Sequence, residues 1–111
     1  MYTLGLITGA SSGLGEALSY ALAQRGLSLI LVGRDQQKLE QVAARIATPT
    51  EICVLDLSSP QERHTLLTLI RKRVPDLVIN NAGFGLYGNL LEQTLQEAQD
   101  MLAVNAQAVM I

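Results

Sequence analysis

The sequence predicts an α/β domain: a doubly wound parallel sheet with helices on both faces. Apolar runs alternate with helical patterns along the 111 residues in the order βαβαβαβα, which is typical of parallel strands joined by right-handed crossovers. Hydrophobic residues make up 49% of the chain and charged residues 16%, as expected where strands are buried on both faces. No linker, repeat or low-complexity tract interrupts the chain, so we expect one domain over residues 1–111.

The first half of the chain predicts two strands and two helices. Residues 2–8 form the first predicted strand, and residues 14–25 form a helix with the apolar stripe Leu14, Ala17, Leu18, Ala21 and Leu22. Gly26 is a good C-terminal stop for this helix. Residues 27–33 predict a second strand, which is apolar on both faces. Asp35 can cap the next helix, whose apolar stripe is Leu39, Val42, Ala43 and Ile46.

The second half repeats this alternation. Residues 51–57 predict the third strand, and residues 59–62 form a capping box with proline at the first helical position. We expect that helix to run to about Arg73, because Pro75 bars its continuation. Residues 76–83 predict the fourth strand. A second capping box at residues 94–97 opens a helix with no stop signal before Ile111, and its stripe is Ala98, Met101, Leu102 and Val109.

We expect the strands to lie in the order 3-2-1-4, which leaves strand 4 at an unpaired edge. Chain direction across such a sheet reverses between strands 1 and 4, and ligands bind in the crevice at the carboxyl ends of the strands there. The segment TGASSGLG ends strand 1 and NNAG ends strand 4. Both segments therefore flank the predicted crevice.

The glycine-rich turn of residues 8–15 fits a phosphate at a helix N-terminus. Unpaired N–H groups and a partial positive charge favour an anion there. Gly9 permits a tight turn, Gly13 lets the backbone approach a diphosphate, and Gly15 lets the helix pack on the sheet, while Ser11 and Ser12 add hydroxyl donors. The spacing is neither G-x-G-x-x-G nor a G-K-[ST] loop. A purely structural turn is the alternative.

The residues after strands 2 and 3 bear on which nucleotide would bind. An acid at the end of strand 2 binds the 2′-hydroxyl of NAD. Here Gly33 leaves room for a 2′-phosphate and Arg34 can grip it with two hydrogen bonds. A solvated loop arginine is the alternative, and Asp35 is better explained as the helix cap. Asp56 lies within plausible reach of an adenine, or is ordinary turn chemistry.

Composition excludes several other classes of protein. The net charge of −2, with Arg71, Lys72 and Arg73 as the only basic cluster, favours neither nucleic acid nor an anionic membrane as partner. The single cysteine, Cys53, rules out a disulfide framework and is interpreted as a small core residue. We expect no metal site, because His64 is the only histidine. Neither a secretory signal nor an apolar stretch long enough to span a membrane is apparent, so the expected compartment is the cytoplasm.

Five motifs in order, TGASSGLG, GRD, DL, NNAG and AVNA, resemble the N-terminal part of the short-chain dehydrogenase/reductase family, whose fold is of the Rossmann type. The resemblance covers all 111 residues. It implies hydride transfer between a nicotinamide and a carbonyl or alcohol substrate, with NADP(H) favoured over NAD(H) by Arg34, and a homo-oligomer. It implies that Asp56 and Leu57 lie at the adenine. It further implies that the cofactor is lined by Gly9, Ser11, Ser12, Gly13, Leu14, Gly15, Asn80, Asn81, Ala82 and Gly83.

The residues that carry the family's reaction are missing from this sequence. The reaction needs a serine and a tyrosine followed four positions later by a lysine. The positions four residues after Tyr2, Tyr20 and Tyr87 hold no lysine. Asn105 falls on the apolar stripe of the last predicted helix and is either satisfied by packing or, as the resemblance implies, holds a water in the proton relay. We therefore expect the cofactor-binding half of a reductase, with no activity alone.

Two alternatives stay open at this point. The chain could be a binding or regulatory module that keeps the dinucleotide fold without catalysis. It could also be another phosphate-binding α/β domain. A serine and a Tyr-x-x-x-Lys after Ile111 would distinguish a reductase from the first alternative, and a cofactor titration would exclude the second.

Overall fold

The computed structural model describes residues 3–81 and 108–110. It confirms the α/β class. The strands are β1 (Leu4–Thr8), β2 (Ser28–Gly33), β3 (Thr50–Val54), β4 (Leu77–Asn80) and β5 (Ala108–Met110), and the helices are α1 (Gly13–Gln24), α2 (Gln36–Ala44) and α3 (Pro60–Arg73). Within these ranges no helix is long and apolar enough to cross a membrane.

The sheet has five parallel strands in the order β3-β2-β1-β4-β5, which contains the predicted order 3-2-1-4. Thr8 at the end of β1 pairs with Val32 of β2 and Asn80 of β4. The carboxyl ends of the central strands therefore meet at one edge. Successive strands run from β1 to β3 on one side and from β4 to β5 on the other, so the chain reverses direction between β1 and β4.

The core lies on both faces of the sheet because successive strand residues point to opposite sides. Leu6, Ile30 and Val78 face α3, which buries Leu66 and Ile70 against them. Ile7, Leu31 and Ile79 point the other way, where Leu39 and Val42 of α2 and partly buried residues of α1 cover them. Helices thus cover the two faces as the alternating pattern predicted. Cys53 is partly buried and packs against the first of these cores.

The chain near its last residues differs from the sequence prediction. The helix expected to continue to Ile111 is wrong for residues 108–110, which form β5 and pair with β4. Strand β4 is accordingly not an unpaired edge. The segment AVMI is apolar at every position, and such a run fits a strand buried on both faces as well as a helix stripe. Pairing with the edge of β4 decides in favour of the strand.

The buried side of α1 also differs from its apolar pattern. Leu14, Ala17 and Ala21 are exposed, whereas Gly15 and Ser19 are buried. The hydroxyl of Ser19 donates to the Gly15 carbonyl at 2.7 Å, which satisfies its buried oxygen. The helix lies so near the sheet at Gly15 that no side chain fits there, while Leu18 and Leu22 are partly buried against the core. Close approach has therefore overridden hydrophobic periodicity at the start of the helix. Gly26, with φ of 89°, ends the turn after α1 as predicted.

Asp76 anchors the beginning of β1 at the opposite edge of the sheet from the glycine turn. Its Oδ2 accepts hydrogen bonds from the Thr3 hydroxyl at 2.7 Å, the Thr3 N–H at 2.7 Å and the Leu4 N–H at 2.8 Å. These donors, led by the Thr3 hydroxyl, hold the pKa of Asp76 below its usual value of 3.8. One carboxylate therefore ties the loop before β4 to the first strand.

We predict that the stabilisation by Asp76 depends on pH. Its pKa is lower in the folded than in the unfolded chain, so its contribution is complete above 3.8 and is lost as pH falls through the folded value. Urea unfolding of wild type and Asp76→Asn should differ by about 1–2 kcal/mol at neutral pH, and by much less near about pH 2. A difference that is independent of pH would contradict this account.

Val74 ends α3 in a strained conformation. Its φ is 49° and its ψ is 65°, and it is the only non-glycine residue of the described ranges with positive φ. A β-branched side chain in the left-handed region is unfavourable by about 1–2 kcal/mol. The side chain is 52% exposed, so burial does not compensate for much of this strain.

We predict that Val74→Gly stabilises the fold by about 1 kcal/mol, because glycine adopts positive φ without the steric cost. Lys72→Gly, two residues earlier at an exposed position of the same helix, is the matched control and should lower the free energy of unfolding by about 1 kcal/mol. Thermal or urea unfolding measures both changes. If the Val74→Gly variant has an unfolding midpoint as low as that of the control, the strain is not relieved at this position.

Candidate functional site

A cleft of about 840 Å³ opens at the carboxyl edge of the sheet. The turn after β1, the end of β2, the first turn of α2, the turn after β3 and the end of β4 form its walls. The residues proposed from the sequence that line it are Gly9, Ser11, Ser12, Gly33, Arg34, Asp56, Leu57 and Asn81. Parallel packing of β1 between β2 and β4 brings these distant segments together, as expected at a topological switch point.

The glycine-rich turn is held by its own backbone and by Ser12. Gly9 has φ of 64°, a conformation that favours glycine. The N–H of Ser12 donates to the Gly9 carbonyl at 3.1 Å. Its hydroxyl donates to the same oxygen at 2.8 Å and accepts from the Gly15 N–H at 3.2 Å, which makes Ser12 the N-cap of α1.

The two serines of this turn thus differ. The one hydroxyl proton of Ser12 is directed to the Gly9 carbonyl, so Ser12 shapes the turn. Ser11 also lines the cleft, and its hydroxyl has no hydrogen-bond partner among the described residues. Ser11 is therefore the serine whose hydroxyl can donate to an anion in the cleft.

Asn81, which follows β4, is hydrogen-bonded to the glycine-rich turn after the neighbouring strand β1. Its amide nitrogen donates to the Gly9 carbonyl at 3.1 Å and to Ser12 Oγ at 2.9 Å. Its backbone N–H donates to Thr8 Oγ1 at 3.1 Å. Neighbouring Asn80 is buried, and its Oδ1 accepts a long hydrogen bond of 3.4 Å from the Thr8 hydroxyl. The NNAG segment therefore positions the glycine turn as well as bordering the cleft.

Gly13 and Gly15 lack a side chain for different reasons. A Cβ on Gly15 would overlap with the Gly9 carbonyl and lie 2.7 Å from Asn81 Nδ2. A Cβ on Gly13 would have no atom within 4 Å, and its φ is not positive. Packing within the described residues thus explains why position 15 is glycine, but it does not explain why position 13 is glycine. Leu14, which follows Gly13, is 45% exposed.

Two cations border the cleft beside the first turn of α2. Arg34 and Lys38 are both exposed and both line it. Asp35 is the N-cap of α2, and its Oδ1 accepts from the Lys38 N–H at 3.2 Å. A Cβ on Gly33 would lie 3.2 Å from a Leu39 methyl and 3.4 Å from Ser11 Oγ, so its missing side chain serves packing as well as space. Sequence reasoning missed Lys38, although its position four residues after Arg34 was a usable signal.

The turn after β3 supplies the acidic wall. Asp56 Oδ1 accepts from the Ser58 hydroxyl at 2.7 Å and from the Ser58 N–H at 3.0 Å. These bonds, that of the hydroxyl first, hold the pKa of Asp56 below its usual value, and the positive charge of Arg34 acts in the same direction. Asp56 thus takes part in ordinary turn chemistry and also lines the cleft.

Some of the proposed residues are not on the cleft wall. Gly13, Leu14 and Gly15 lie in the first turn of α1 and, unlike Gly9, do not line the described cleft. Ala82, Gly83 and Asn105 lie outside the described residues. In the part of the chain that is described, no group of three histidine, cysteine or acidic side chains could hold a metal ion.

This arrangement suits an elongated anion that also carries a neutral polar group. The N-cap of α1, Ser12, and the first turn of α2 line the cleft, and anions are favoured at such helix N-termini. Ser11, Arg34 and Lys38 can donate hydrogen bonds to phosphate oxygens, and the Asp56 carboxylate can accept from an amine. A group with phosphates near α1 and α2 and a nitrogenous ring near β3 would match these donors and acceptors.

Comparison with known proteins identifies a matching family and a related oxidoreductase. A sequence model described as short chain dehydrogenase matches residues 4–111. An uncharacterized oxidoreductase of Staphylococcus epidermidis is 32% identical over 104 residues, which cover 92% of this chain and 45% of that protein. The chain therefore spans less than half the length of this relative.

Solved structures share the fold. The bulky-bulky ketone specific alcohol dehydrogenase from Comamonas testosteroni is 26% identical, with a TM-score of 0.80 over 87% of this chain and 49% of that chain. An alcohol dehydrogenase from Thermococcus sibiricus, solved with 5-hydroxy-NADP, is 24% identical, with a TM-score of 0.79 over 97% of this chain and 57% of that one.

We predict that alanine greatly lowers the stability of the fold at Gly15 and hardly changes it at Gly13. Gly15→Ala forces its methyl group into the Gly9 carbonyl and should lower the free energy of unfolding by about 3 kcal/mol. Gly13→Ala should change it by less than about 0.5 kcal/mol, because its methyl group meets open space. Urea unfolding without ligand compares the pair. Equal losses would mean that α1 begins at a different distance from the sheet.

Proposed function

This chain belongs to the short-chain dehydrogenase family, and from that premise we propose that it is the dinucleotide-binding part of an oxidoreductase that prefers NADP(H). Residues 1–111 form the N-terminal part of its Rossmann domain. In the whole protein the reaction is hydride transfer between the nicotinamide and a small carbonyl or alcohol substrate. NAD(H) is the less favoured cofactor.

The described residues fit a dinucleotide. The diphosphate would be held at the first turn of α1, where no atom of the described residues fills the space left by the missing side chain of Gly13. Ser11 donates to it, while Ser12 and Asn81 keep the turn in shape. The adenine lies between the end of β2 and the turn after β3, beside Asp56 and Leu57. By the family resemblance, Ala82 and Gly83 of the NNAG segment would also contact the cofactor.

The preference for NADP(H) rests on one observation: Arg34 lines the cleft directly after a strand that ends in glycine instead of an acid. A carboxylate at that strand end would repel a 2′-phosphate and bind the ribose hydroxyl. The nearest acid, Asp35, is engaged in capping α2. Arg34 grips the phosphate, and Lys38 adds a second positive charge one turn away. The Thermococcus sibiricus enzyme, which shares this fold, holds an NADP derivative.

The chemistry is divided between the cofactor and the rest of the protein. The nicotinamide ring, when bound, gives or accepts the hydride. This sequence contributes Asn105, which we propose holds a water in the proton relay. The serine, tyrosine and lysine that orient the substrate and move its proton belong to the part of the protein that follows residue 111. Their presence in the full protein would distinguish a reductase from a non-catalytic dinucleotide-binding module.

We predict that Arg34→Ala removes most of the preference for NADPH over NADH. A charge-assisted contact to a phosphate contributes about 10- to 150-fold in affinity. Titration of the full protein that carries this sequence with both cofactors should therefore give a ratio of dissociation constants that moves toward one. The loss should appear in NADPH binding, with NADH binding nearly unchanged.

Arg25→Ala is the control, because Arg25 is an exposed arginine at the C-terminal end of α1 and does not line the cleft. It should leave the ratio as in wild type. If Arg34→Ala keeps the wild-type ratio, Arg34 is not the phosphate ligand. If neither cofactor binds to the wild type, the proposed function itself is wrong.

A further inference from the structure

The turn that carries Asp56 and Leu57 is hydrogen-bonded to the first turn of α3. Residues 56–58 line the cleft. Their backbone groups bond to two consecutive side chains of α3, Glu62 and Arg63, neither of which lines the cleft. The cleft wall and its support are therefore different residues.

Glu62 supports the turn through an unusual capping arrangement. In an ordinary capping box the third helical residue bonds to the N–H of the N-cap. Here the N-cap is Ser59, and its N–H donates instead to the Asp56 carbonyl at 3.0 Å. The side chain of Glu62 reaches further back, and its Oε1 accepts from the Asp56 N–H at 3.0 Å. Glu62 thereby fixes the peptide from which the Asp56 carboxylate projects.

Arg63 fixes the carbonyl groups of Leu57 and Ser58. Its Nη1 donates to the Leu57 carbonyl at 3.0 Å and to the Ser58 carbonyl at 3.2 Å. The guanidinium is partly buried and charged, so its bonds to the carbonyls are stronger than neutral ones. Together with the Asp56–Ser58 bonds, these contacts leave the turn few ways to move.

We infer that Glu62 and Arg63 are positioning residues for recognition of the adenine, and that they set the discrimination between adenine and other bases by holding Asp56 in register. The inference rests on the proposed function, because it assumes that the dinucleotide places its base at this turn. The reason is geometric. A carboxylate accepts from the amine of adenine and repels a carbonyl oxygen at the same place, so discrimination depends on where the carboxylate is held.

The test compares two cofactors that differ only in the base. NADPH carries adenine, and its deaminated analogue carries hypoxanthine, in which a carbonyl oxygen replaces the amine. Dissociation constants for both are measured with the full protein that carries this sequence. Wild type should bind NADPH several-fold more tightly. Glu62→Ala and Arg63→Met should each move that ratio most of the way towards one.

Two further variants separate positioning from general stability. Glu62→Gln retains an oxygen that can accept from the Asp56 N–H and should keep most of the wild-type ratio. Gln61→Ala, on the same exposed helix turn, alters a side chain that makes no hydrogen bond with the described residues and should keep all of it. If Arg63→Met fails to fold, Arg63→Lys replaces it, with a smaller expected loss because an ammonium is less suited to bridge both carbonyls. Thermal unfolding is recorded for each variant.

Each outcome has one meaning. Variants that lose stability or overall affinity while the base ratio stays at the wild-type value would overturn the inference and leave Glu62 and Arg63 as structural residues. A wild type that binds both cofactors equally would overturn it as well, and would leave the proposed function intact. A wild type that binds neither cofactor contradicts the proposed function and the inference together.

Discussion

The contact between Gly15 and the Gly9 carbonyl is the constraint on which the rest of the site depends. Because no side chain separates them, α1 begins almost against the end of β1. That closeness brings Ser12 within reach of both Gly9 and Asn81, so one small network joins β1, α1 and β4. It also explains why Gly15 is buried at the start of α1 while its neighbour Leu14 is exposed. The position of the helix N-terminus, and with it the cleft, follows from this contact.

Much of the fold could be predicted because the relevant signals are local. Ser59, with a proline after it, and Asp35 cap the helices as expected, since capping requires only neighbouring residues. The strand order followed from the alternation of elements and the handedness of crossovers. Residues 108–110 were predicted wrongly because an apolar run fits a strand or a helix, and the choice depends on a distant partner, β4. The stripe of α1 was right for Leu18 and Leu22, which pack against the core. It was wrong for Leu14, Ala17 and Ala21, because the close approach of Gly9 depends on tertiary structure.

The candidate site could be predicted only in part. Strand ends and glycine spacing indicated which residues border the cleft, because parallel strands place their carboxyl ends together. The role of each of these residues could not be predicted from strand ends and spacing. Ser11 and Ser12 are adjacent and chemically identical, and both line the cleft, yet only the hydroxyl of Ser12 is engaged in capping a helix. Glu62 was recognised as part of a capping box, but its bond to Asp56 depends on a turn geometry that spacing alone does not give.

Hydrogen bonds from side chains to backbone hold the two turns that border the cleft. Arg34 and Lys38 are exposed, and long exposed side chains adapt to a ligand at the cost of their own conformational freedom. The turns after β1 and β3 are different, because Asn81 and Ser12 hold one while Glu62 and Arg63 hold the other. A ligand in the cleft would therefore meet backbone held by hydrogen bonds at the turns after β1 and β3, and exposed cations beside α2. Under the proposed function, substitution of the cations should change which cofactor binds, whereas loss of the supporting side chains should change how accurately the cofactor is placed.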